Sequence, residues 1–323
     1  MRPLYALLVI FFLSISGCND SEPTVHDDAS SGIDTEQLLD DLRFLSSDEL
    51  QGRKTGSEGN RIAREFLSER FRKLGLKPGN GQEFEQKFSH TNPRTNELFD
   101  EAVNLIAIVE GSDHPETYIA ITAHYDHLGV RDGEIYNGAD DNASGTAALL
   151  AISEYFLENQ PSNSLLIIAF DAEEQGLAGA RHFINNPAVS LDQILMNVNM
   201  DMISNNFEDE LYAVGTYHYP FLTSYVERAA RKSAISVKFG YDSDEWPQNW
   251  TMSSDHGPFH SAGIPFLYFG VEDHPHYHSP TDTFENINPE FYIEAVRTII
   301  HVIEELDLHS DELARQIETL RKG

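Results

Sequence analysis

Cysteine is almost absent from this sequence, because its 323 residues contain only Cys18. A chain with one thiol can form no internal disulfide, and a zinc site built on several cysteines is excluded as well. Any metal ion bound by the fold must therefore be held by histidines and carboxylates. The sequence has 14 His and 53 Asp plus Glu residues to supply them.

Positive charge is also scarce. Lys and Arg total 22 against 53 Asp and Glu, which gives a formal net charge of −31. This balance argues against nucleic acid, and against an anionic membrane surface, as the working partner. Apart from a few carboxylates in a site, we interpret the excess acid as a strongly solvated surface.

Long apolar runs are missing too, since the one at residues 4–13 is too short to span a membrane as a mature helix. It follows Arg2 and precedes the small residues before Cys18, a pattern that resembles the signal of bacterial lipoproteins. The resemblance implies a signal peptide over 1–17, lipidation of Cys18 and a flexible tether over 18–35. We then expect an exported lipoprotein that faces the periplasm or the cell exterior, attached to the membrane only through Cys18. An ordinary cleaved signal or a short anchor is the alternative.

Apolar strands and amphipathic helices alternate from residue 36 onward. Helices are predicted over 36–45, 57–74, 144–156, 177–185, 221–231, 289–306 and 311–320, and strands over 84–88, 104–111, 117–126, 164–176, 194–202, 211–214 and 265–270. Gly75 is expected to end the second helix. The order of the elements predicts one α/β domain over 36–323 with a largely parallel sheet.

Side chains that can bind metal occur where the predicted strands end. They are His124, Asp126, Glu173, Glu174 and Asp201. In open α/β sheets, ligands bind beyond the carboxyl ends of the strands. Because strand side chains alternate with period 2, His124 and Asp126 should point to the same face. His124 could then bind a metal while Asp126 braces its second ring nitrogen.

These residues, with others from loops, supply each part of a two-metal hydrolytic site. Such a site needs imidazoles, terminal carboxylates, a bridging carboxylate and a free base beside the bound water. The candidates are His124 and His278 as imidazoles, Asp141 as the bridge, Glu174 and Asp201 as terminal carboxylates, and Glu173 as the base. Three carboxylates and a hydroxide would balance the charge of two Zn²⁺. His276 is an alternative to His278.

Five segments in order, HYDHLG, NGADDNASG, DAEEQGLAG, NMDM and HYHSPTDT, resemble the zinc-site segments of the M28 family of metallopeptidases. The resemblance implies a zinc-exopeptidase-like fold, a three-layer α/β/α arrangement with a mixed, largely parallel central sheet. It implies two Zn²⁺, one held by His124, Asp141 and Asp201 and the other by Asp141, Glu174 and His278. It further implies that Asp126 orients His124. Glu173 would take the proton from the metal-bridging water and pass it to the leaving amine.

The expected function is therefore that of a two-zinc aminopeptidase acting on peptides. A carboxypeptidase or dipeptidase of the same fold is the main alternative, and a one-zinc glutaminyl cyclase or a non-catalytic relative is a more distant one. A carboxypeptidase needs cations for the substrate carboxylate, and Arg131 and Lys238 are the candidates in loops. An aminopeptidase instead needs acids near the free amine, and the chain has many.

Several further residues lie near these segments. His127 is expected to face away from the site by alternation, as a turn or supporting residue. Asp140 is expected to bind backbone amides of its turn. Trp246 and Trp250 are candidates for a pocket wall, whereas structural hydrogen bonding is the expected role of His256 and His260, and the role of Asp255 stays open.

Overall fold

The computed structural model describes residues 32–322. The predicted signal peptide over 1–17, the lipidation site Cys18 and most of the tether over 18–35 lie outside this range and stay predictions. Within the described range, no helix has both the length and the apolar character needed to cross a membrane.

The described residues alternate between strands and helices, as the sequence pattern predicts. The strands are β1 (Lys77–Pro78), β2 (Glu85–Thr91), β3 (Leu98–Val109), β4 (His114–His124), β5 (Gly129–Arg131), β6 (Glu134–Tyr136), β7 (Asn163–Phe170), β8 (Ile194–Met200), β9 (Glu210–Val214), β10 (Ser236–Phe239) and β11 (Phe266–Gly270). The helices are α1 (Thr35–Leu45), α2 (Glu58–Leu74), α3 (Gly145–Glu158), α4 (Ala178–Asn185), α5 (Thr223–Ala230), α6 (His256–Ser261), α7 (Pro289–Leu308) and α8 (Ser310–Lys322).

One mixed sheet of nine strands forms the centre of the fold, in the order β1-β3-β7-β4-β8-β11-β9-β10 with β2 paired to β3. The four central strands β7, β4, β8 and β11 run parallel to one another. On the flanks, β3 pairs antiparallel with β7, and β9 pairs antiparallel with β11. The predicted mixed sheet is thus confirmed, with its parallel part confined to the middle and to the β9–β10 pair.

Helices cover both faces of this sheet. On β4, Ile119 and Ile121 belong to an apolar cluster with residues of α1, α2, α3 and α7, whereas Ala120 belongs to a second cluster with residues of α4 and α6. Successive strand residues point to opposite faces, so a strand buried on both sides is apolar along most of its length. All eight residues of β7 are buried, and the six from Leu165 to Phe170 are apolar. The three-layer α/β/α arrangement follows from this burial.

Helix α2 illustrates how local sequence fixes element ends. The Ser57 side chain accepts a hydrogen bond from the Asn60 amide at its start, and Gly75 ends it in the left-handed conformation with φ of 80°. Serine is favoured just before a helix because its side-chain oxygen accepts a hydrogen bond from a free helical amide. Glycine is favoured just after a helix because, without a Cβ, it adopts the left-handed conformation easily. The prediction that Gly75 ends this helix is confirmed.

Two local differences from the sequence prediction bear on the site. β7 ends at Phe170 and β8 at Met200, so the acids predicted at the ends of longer strands lie in the following loops. The backbone leaves the extended conformation at Ala172 and Met202, both with positive φ. Helix α6 also forms in a part of the chain for which the sequence predicts no helix or strand. Apolar periodicity marks buried segments and does not show where the backbone turns away from a strand.

Candidate metal centre

The parallel strands β4, β7, β8 and β11 end at the same edge of the sheet, and the predicted metal ligands gather there. His124 is the last residue of β4, Asp201 follows β8 directly, and Glu174 lies in the loop after β7. Asp141 comes from the turn before α3, and His278 from the loop after β11. The topology therefore brings together residues that are up to 154 positions apart in the sequence numbering.

Three of these side chains form a buried group. His124 Nε2 lies 3.4 Å from Asp141 Oδ1 and 3.3 Å from Asp201 Oδ1. One ligand atom from each residue lies within 4.8 Å of the others, which is close enough for a single ion. These are the residues expected to hold the first zinc.

A second group forms on the other side of Asp141. His278 Nε2 lies 3.0 Å from Asp141 Oδ2 and 3.4 Å from Glu174 Oε1. The same two carboxylates also face His127, whose Nδ1 lies 3.0 Å from Glu174 Oε1 and 3.7 Å from Asp141 Oδ2. Asp141 thus presents one oxygen to each group, which is the arrangement a bridging carboxylate requires.

The donor atoms of both groups fit a bound cation. Within residues 32–322, no hydrogen-bond partner is found for His124 Nε2, Asp201 Oδ1, Glu174 Oε1 or either ring nitrogen of His127, although all these atoms are buried. Buried polar atoms are normally paired, because leaving one unpaired costs about 1–3 kcal/mol. Imidazole nitrogens and carboxylate oxygens are zinc ligands. The residues present therefore suit zinc at both groups.

The histidines and carboxylates of the second group shift one another's pKa. Burial by itself would lower the pKa of His278, but its contacts with Asp141 and Glu174 raise it to about 10. Burial and the Asp141 charge would raise the pKa of Glu174, yet contacts with His127 and His278 lower it to about 2. A metal ion needs neutral imidazole, so binding at this group must release protons.

Asp126 supports the site differently from the prediction. The His124 ring nitrogen Nδ1 lies 3.1 Å from the backbone carbonyl of Asp126, whereas the Asp126 carboxylate is 3.7 Å away. That carboxylate instead accepts hydrogen bonds from the backbone amides of Glu173 at 3.0 Å and Glu174 at 3.3 Å. The expectation that the Asp126 carboxylate contacts the His124 ring relied on strand alternation, which does not extend to Asp126 because β4 ends at His124. Asp126 therefore positions the loop of the two glutamates.

The turn that carries Asp141 is held by an acid that the sequence did not single out. Asp282 accepts hydrogen bonds from the backbone amides of Asp140 and Asp141 at 2.9 and 3.1 Å. Asp140, expected to bind the amides of its own turn, instead accepts from the Ser204 amide and contacts His274 Nε2 at 2.9 Å. Asp282 belongs to the HYHSPTDT segment, and its place in that segment was the only feature of the sequence that could have pointed to it.

Glu173 lies beside the two ligand groups and opens onto a cavity of about 570 Å³. Its carboxyl is partly exposed, and burial together with the charges of Glu174, Asp255 and Asp201 raises its pKa well above the usual range, against the opposing effect of His124. It is not a member of either candidate metal group among the described residues. Glu173 is therefore free to exchange protons.

The cavity wall includes one of the two predicted tryptophans. Trp250 lines the cavity and stacks on Tyr241 with ring centres 3.9 Å apart. Trp246 also packs on Tyr241 but does not reach the cavity, so its proposed place in the wall is wrong. Two cations that the sequence analysis missed, Arg94 and Arg181, line the same cavity.

Other candidates lie away from the cavity. Arg131 packs over the Tyr136 ring, and Lys238 pairs with Glu210 at 2.9 Å, so neither is placed to bind a substrate carboxylate there. His276 contacts Thr281, whereas His278 is the histidine of this loop that faces Asp141, with its Nε2 3.0 Å from Asp141 Oδ2.

The segment around α6 contributes buried polar groups behind the site. His256 is fully buried and contacts the Trp250 carbonyl through Nε2 at 2.8 Å, the structural role expected for it. Asp255 is also fully buried, and among the described residues neither of its oxygens has a hydrogen-bond partner. Burial raises the pKa of this carboxyl well above its usual range, and the charges of Asp126 and Asp201 add to the effect while His124 opposes it.

Known proteins match most of this chain. The model of peptidase family M28 matches residues 104–303, more than half of the chain. Aminopeptidase YwaD of Bacillus subtilis is 32% identical over 228 residues, which cover 67% of this chain and 47% of YwaD. The chain therefore spans about half the length of this relative.

Solved structures show the same fold. A leucine aminopeptidase precursor from Bacteroides thetaiotaomicron superposes with a TM-score of 0.68 at 18% identity, covering 84% of this chain and 97% of that one. Porphyromonas gingivalis glutaminyl cyclase superposes with a TM-score of 0.70 at 18% identity, covering 85% and 99%. The ligand groups at the sheet edge, the fold and the match of the family model together establish that the chain belongs to peptidase family M28.

Proposed function

We propose that the protein is a two-zinc aminopeptidase that removes N-terminal residues from peptides. The observation that supports this most is the shared position of Asp141. Its Oδ1 faces His124 at 3.4 Å and its Oδ2 faces His278 at 3.0 Å, with Glu173 at the adjoining cavity. Two ligand groups that share one carboxylate and leave a free carboxylate nearby are the parts that a two-metal hydrolase needs.

Glu173 is the proposed general base. Zinc ions at the two groups would polarise the scissile carbonyl and lower the pKa of the attacking water. Glu173 accepts the proton of that water and passes it to the leaving amine. The Asp126 carboxylate fixes the Glu173 backbone amide at 3.0 Å, so the base is held on a supported loop.

The charge of the cavity favours a substrate with a free amine. Besides the proposed zinc ligands, Glu173 and Asp273 line the cavity. Carboxylates attract a protonated α-amine and orient it by complementary charge. YwaD, 32% identical to this chain, is named an aminopeptidase, which supports the same assignment.

The base assignment is tested by Glu173→Gln, which keeps the shape of the side chain and removes its basicity. We expect kcat on an aminoacyl p-nitroanilide to fall at least about 100-fold with zinc content unchanged, since a general base contributes roughly 10²–10⁴-fold. Glu97→Gln is the matched control, because Glu97 pairs with Lys54 at the surface. Turnover within about threefold of wild type would show that Glu173 is not the base.

Arg94 and Arg181 favour a second candidate, a dipeptidase or carboxypeptidase. Both guanidinium groups line the cavity, and neither makes an ion pair with a carboxylate of the described chain. The Arg181 Nε donates to the Gly176 carbonyl at 3.1 Å, and a guanidinium can still bind a carboxylate with two hydrogen bonds through its Nη atoms. The two arginines could therefore hold the C-terminal carboxylate of a short peptide.

A panel of peptides separates these functions. An aminopeptidase should cleave free aminoacyl amides and leave their N-acetylated forms intact. Cleavage of the N-acetylated peptides from the carboxyl end, lost in Arg94→Gln with Arg181→Gln, would favour the carboxypeptidase. Cleavage restricted to dipeptides would favour the dipeptidase, and ring closure of an N-terminal glutamine peptide without hydrolysis would instead indicate a glutaminyl cyclase.

A further inference from the structure

His127 lies in the second ligand group, although strand alternation predicted that it faces away. Its side chain is fully buried, and its Nδ1 lies 3.0 Å from Glu174 Oε1 and 3.7 Å from Asp141 Oδ2. One donor atom from each of these three residues lies within 4.8 Å of the others. The prediction was wrong because β4 ends at His124, so alternation no longer applies three residues later. From this geometry we infer that His127 is a fourth protein ligand of the second zinc, in addition to Asp141, Glu174 and His278.

The contacts of the ring favour a ligand over a hydrogen-bond donor. Although His127 Nδ1 is 3.0 Å from Glu174 Oε1, the two atoms are not aligned as donor and acceptor, and neither ring nitrogen has another partner in the part of the chain that the structure describes. A buried imidazole without partners is costly. A metal ion accepting the Nδ1 lone pair removes part of that cost.

The ring is also held in place before any metal binds. The His127 backbone amide donates to the Arg53 carbonyl at 3.4 Å. On the other side, Gly138 packs so closely that a Cβ at this position would lie 2.5 Å from His127 Cδ2. Ligands fixed by their surroundings bind metal more tightly, because little ordering remains to be done on binding.

The two imidazoles of this group have different exposure. The His278 side chain is 39% exposed and lies in a loop, whereas the His127 side chain is 0% exposed. Their ring centres lie 5.9 Å apart. Two imidazoles bound to one zinc at roughly 2.0–2.1 Å and at tetrahedral angles have ring centres about 5 Å apart. A small movement of the exposed His278 would therefore bring both onto one ion.

A fourth ligand makes the two metal positions unequal. The first position has three protein ligands, whereas the second has four and would become five-coordinate on sharing the bridging water, a coordination number that catalytic zinc can reach. The second zinc should bind more tightly and exchange more slowly.

The inference rests on the two-zinc site proposed above and is tested on the metal content of the full chain. Zinc affinity is measured by competition with a chromogenic chelator, and coordination by the visible spectrum of the cobalt-substituted protein. In His127→Phe and His127→Asn, we expect one equivalent to bind as in wild type and the other to bind at least about tenfold more weakly, with a changed cobalt spectrum. His182→Phe is the control, because His182 stacks on Phe88 outside the cavity lining.

The outcomes separate this inference from the proposed function. Wild-type protein that binds fewer than two equivalents would refute the two-zinc site itself. Wild type with two equivalents, and His127 variants that hold both within about threefold, would overturn only the role of His127. Weaker binding with an unchanged cobalt spectrum would also overturn it, by assigning His127 to a hydrogen bond.

A measurement on the wild-type chain avoids dependence on how the variants fold. In proton–nitrogen correlation spectra of the histidine rings, zinc should shift the His127 Nδ1 resonance to the range of metal-bound nitrogen. A resonance that zinc leaves unchanged would exclude His127 as a ligand.

Discussion

Arg53→Lys should destabilise the protein strongly although it keeps the positive charge. Arg53 lies in a 3₁₀ segment (Asp48–Arg53), and its side chain is almost fully buried, with 1% exposure. Among residues 32–322, its guanidinium contacts no carboxylate within hydrogen-bond distance and instead donates to backbone carbonyls. These belong to Leu45, Tyr125 at 2.8 Å, Asn137 at 2.6 Å and Gly138 at 3.0 Å. Tyr125 follows His124, a proposed zinc ligand, so Arg53 joins α1 to the site.

The size of the effect follows from the number of carbonyls that lose their donor. A lysine ammonium is a compact point and cannot reach carbonyls spread around a planar guanidinium. If it satisfies two of the four, two remain unpaired, at about 1–3 kcal/mol each. The Gly138 carbonyl is the least affected, because the Ala143 amide also donates to it at 3.1 Å. We expect a loss of about 2–5 kcal/mol, a large part of the roughly 5–15 kcal/mol that stabilises a typical domain.

Equilibrium unfolding in urea, followed by tryptophan fluorescence in excess chelator, measures this loss without a contribution from zinc. Arg43→Lys is the control, since Arg43 pairs with Asp40 at the surface and exposed pairs contribute about 0–1 kcal/mol. Because Arg53 fixes the backbone beside His124, the zinc affinity of Arg53→Lys should fall as well. An unfolding free energy within about 0.5 kcal/mol of wild type would refute the account of Arg53 as a buried clamp.

Two further predictions concern the turn before Asp141 and the segment behind the site. Gly138→Ala should weaken zinc binding in a chelator competition and lower the melting temperature. Gly138 has φ of 58°, and a Cβ at this position would lie 2.2 Å from the Asp141 carbonyl oxygen. An unchanged zinc affinity would contradict the tight fit. Burial lowers the pKa of His256 to about 3, so the unfolded chain binds this proton near pH 6.5 and the folded chain does not. Its contribution to stability is therefore present above pH 6.5 and is lost as pH falls toward 3, by about 2 kcal/mol between pH 7 and pH 5. Urea unfolding of His256→Gln at both pH values should show a correspondingly smaller loss than wild type, and an equal loss would mean that His256 is not buried in its neutral form.

The sequence correctly predicted which side chains meet at the sheet edge where the direction of the strands alone decides it. Parallel strands end at one edge, so acids and histidines that follow apolar strands must meet there. For this reason the structure brings His124, Asp141, Asp201 and His278 together, as the motifs implied. Their roles as ligands stay predictions that the zinc measurements decide.

The predictions failed where the backbone leaves regular structure. His127 turned towards the site because the strand ends three residues before it, and the Asp126 carboxylate contacts the glutamate loop instead of the His124 ring. Arg94 and Arg181 had no distinguishing pattern, because a cavity wall is assembled from side chains of unrelated segments.

The sequence by itself therefore determined the alternation of strands and helices, the end of α2 at Gly75 and the set of polar residues at the sheet edge. These depend on periodicity and capping, which act between residues a few positions apart. Only the tertiary structure decided which residues support that edge. Arg53 reaches Gly138 across 85 positions, and Asp282 reaches Asp141 across 141. Such contacts depend on the paths of several loops at once, and no local pattern in the chain specifies those paths.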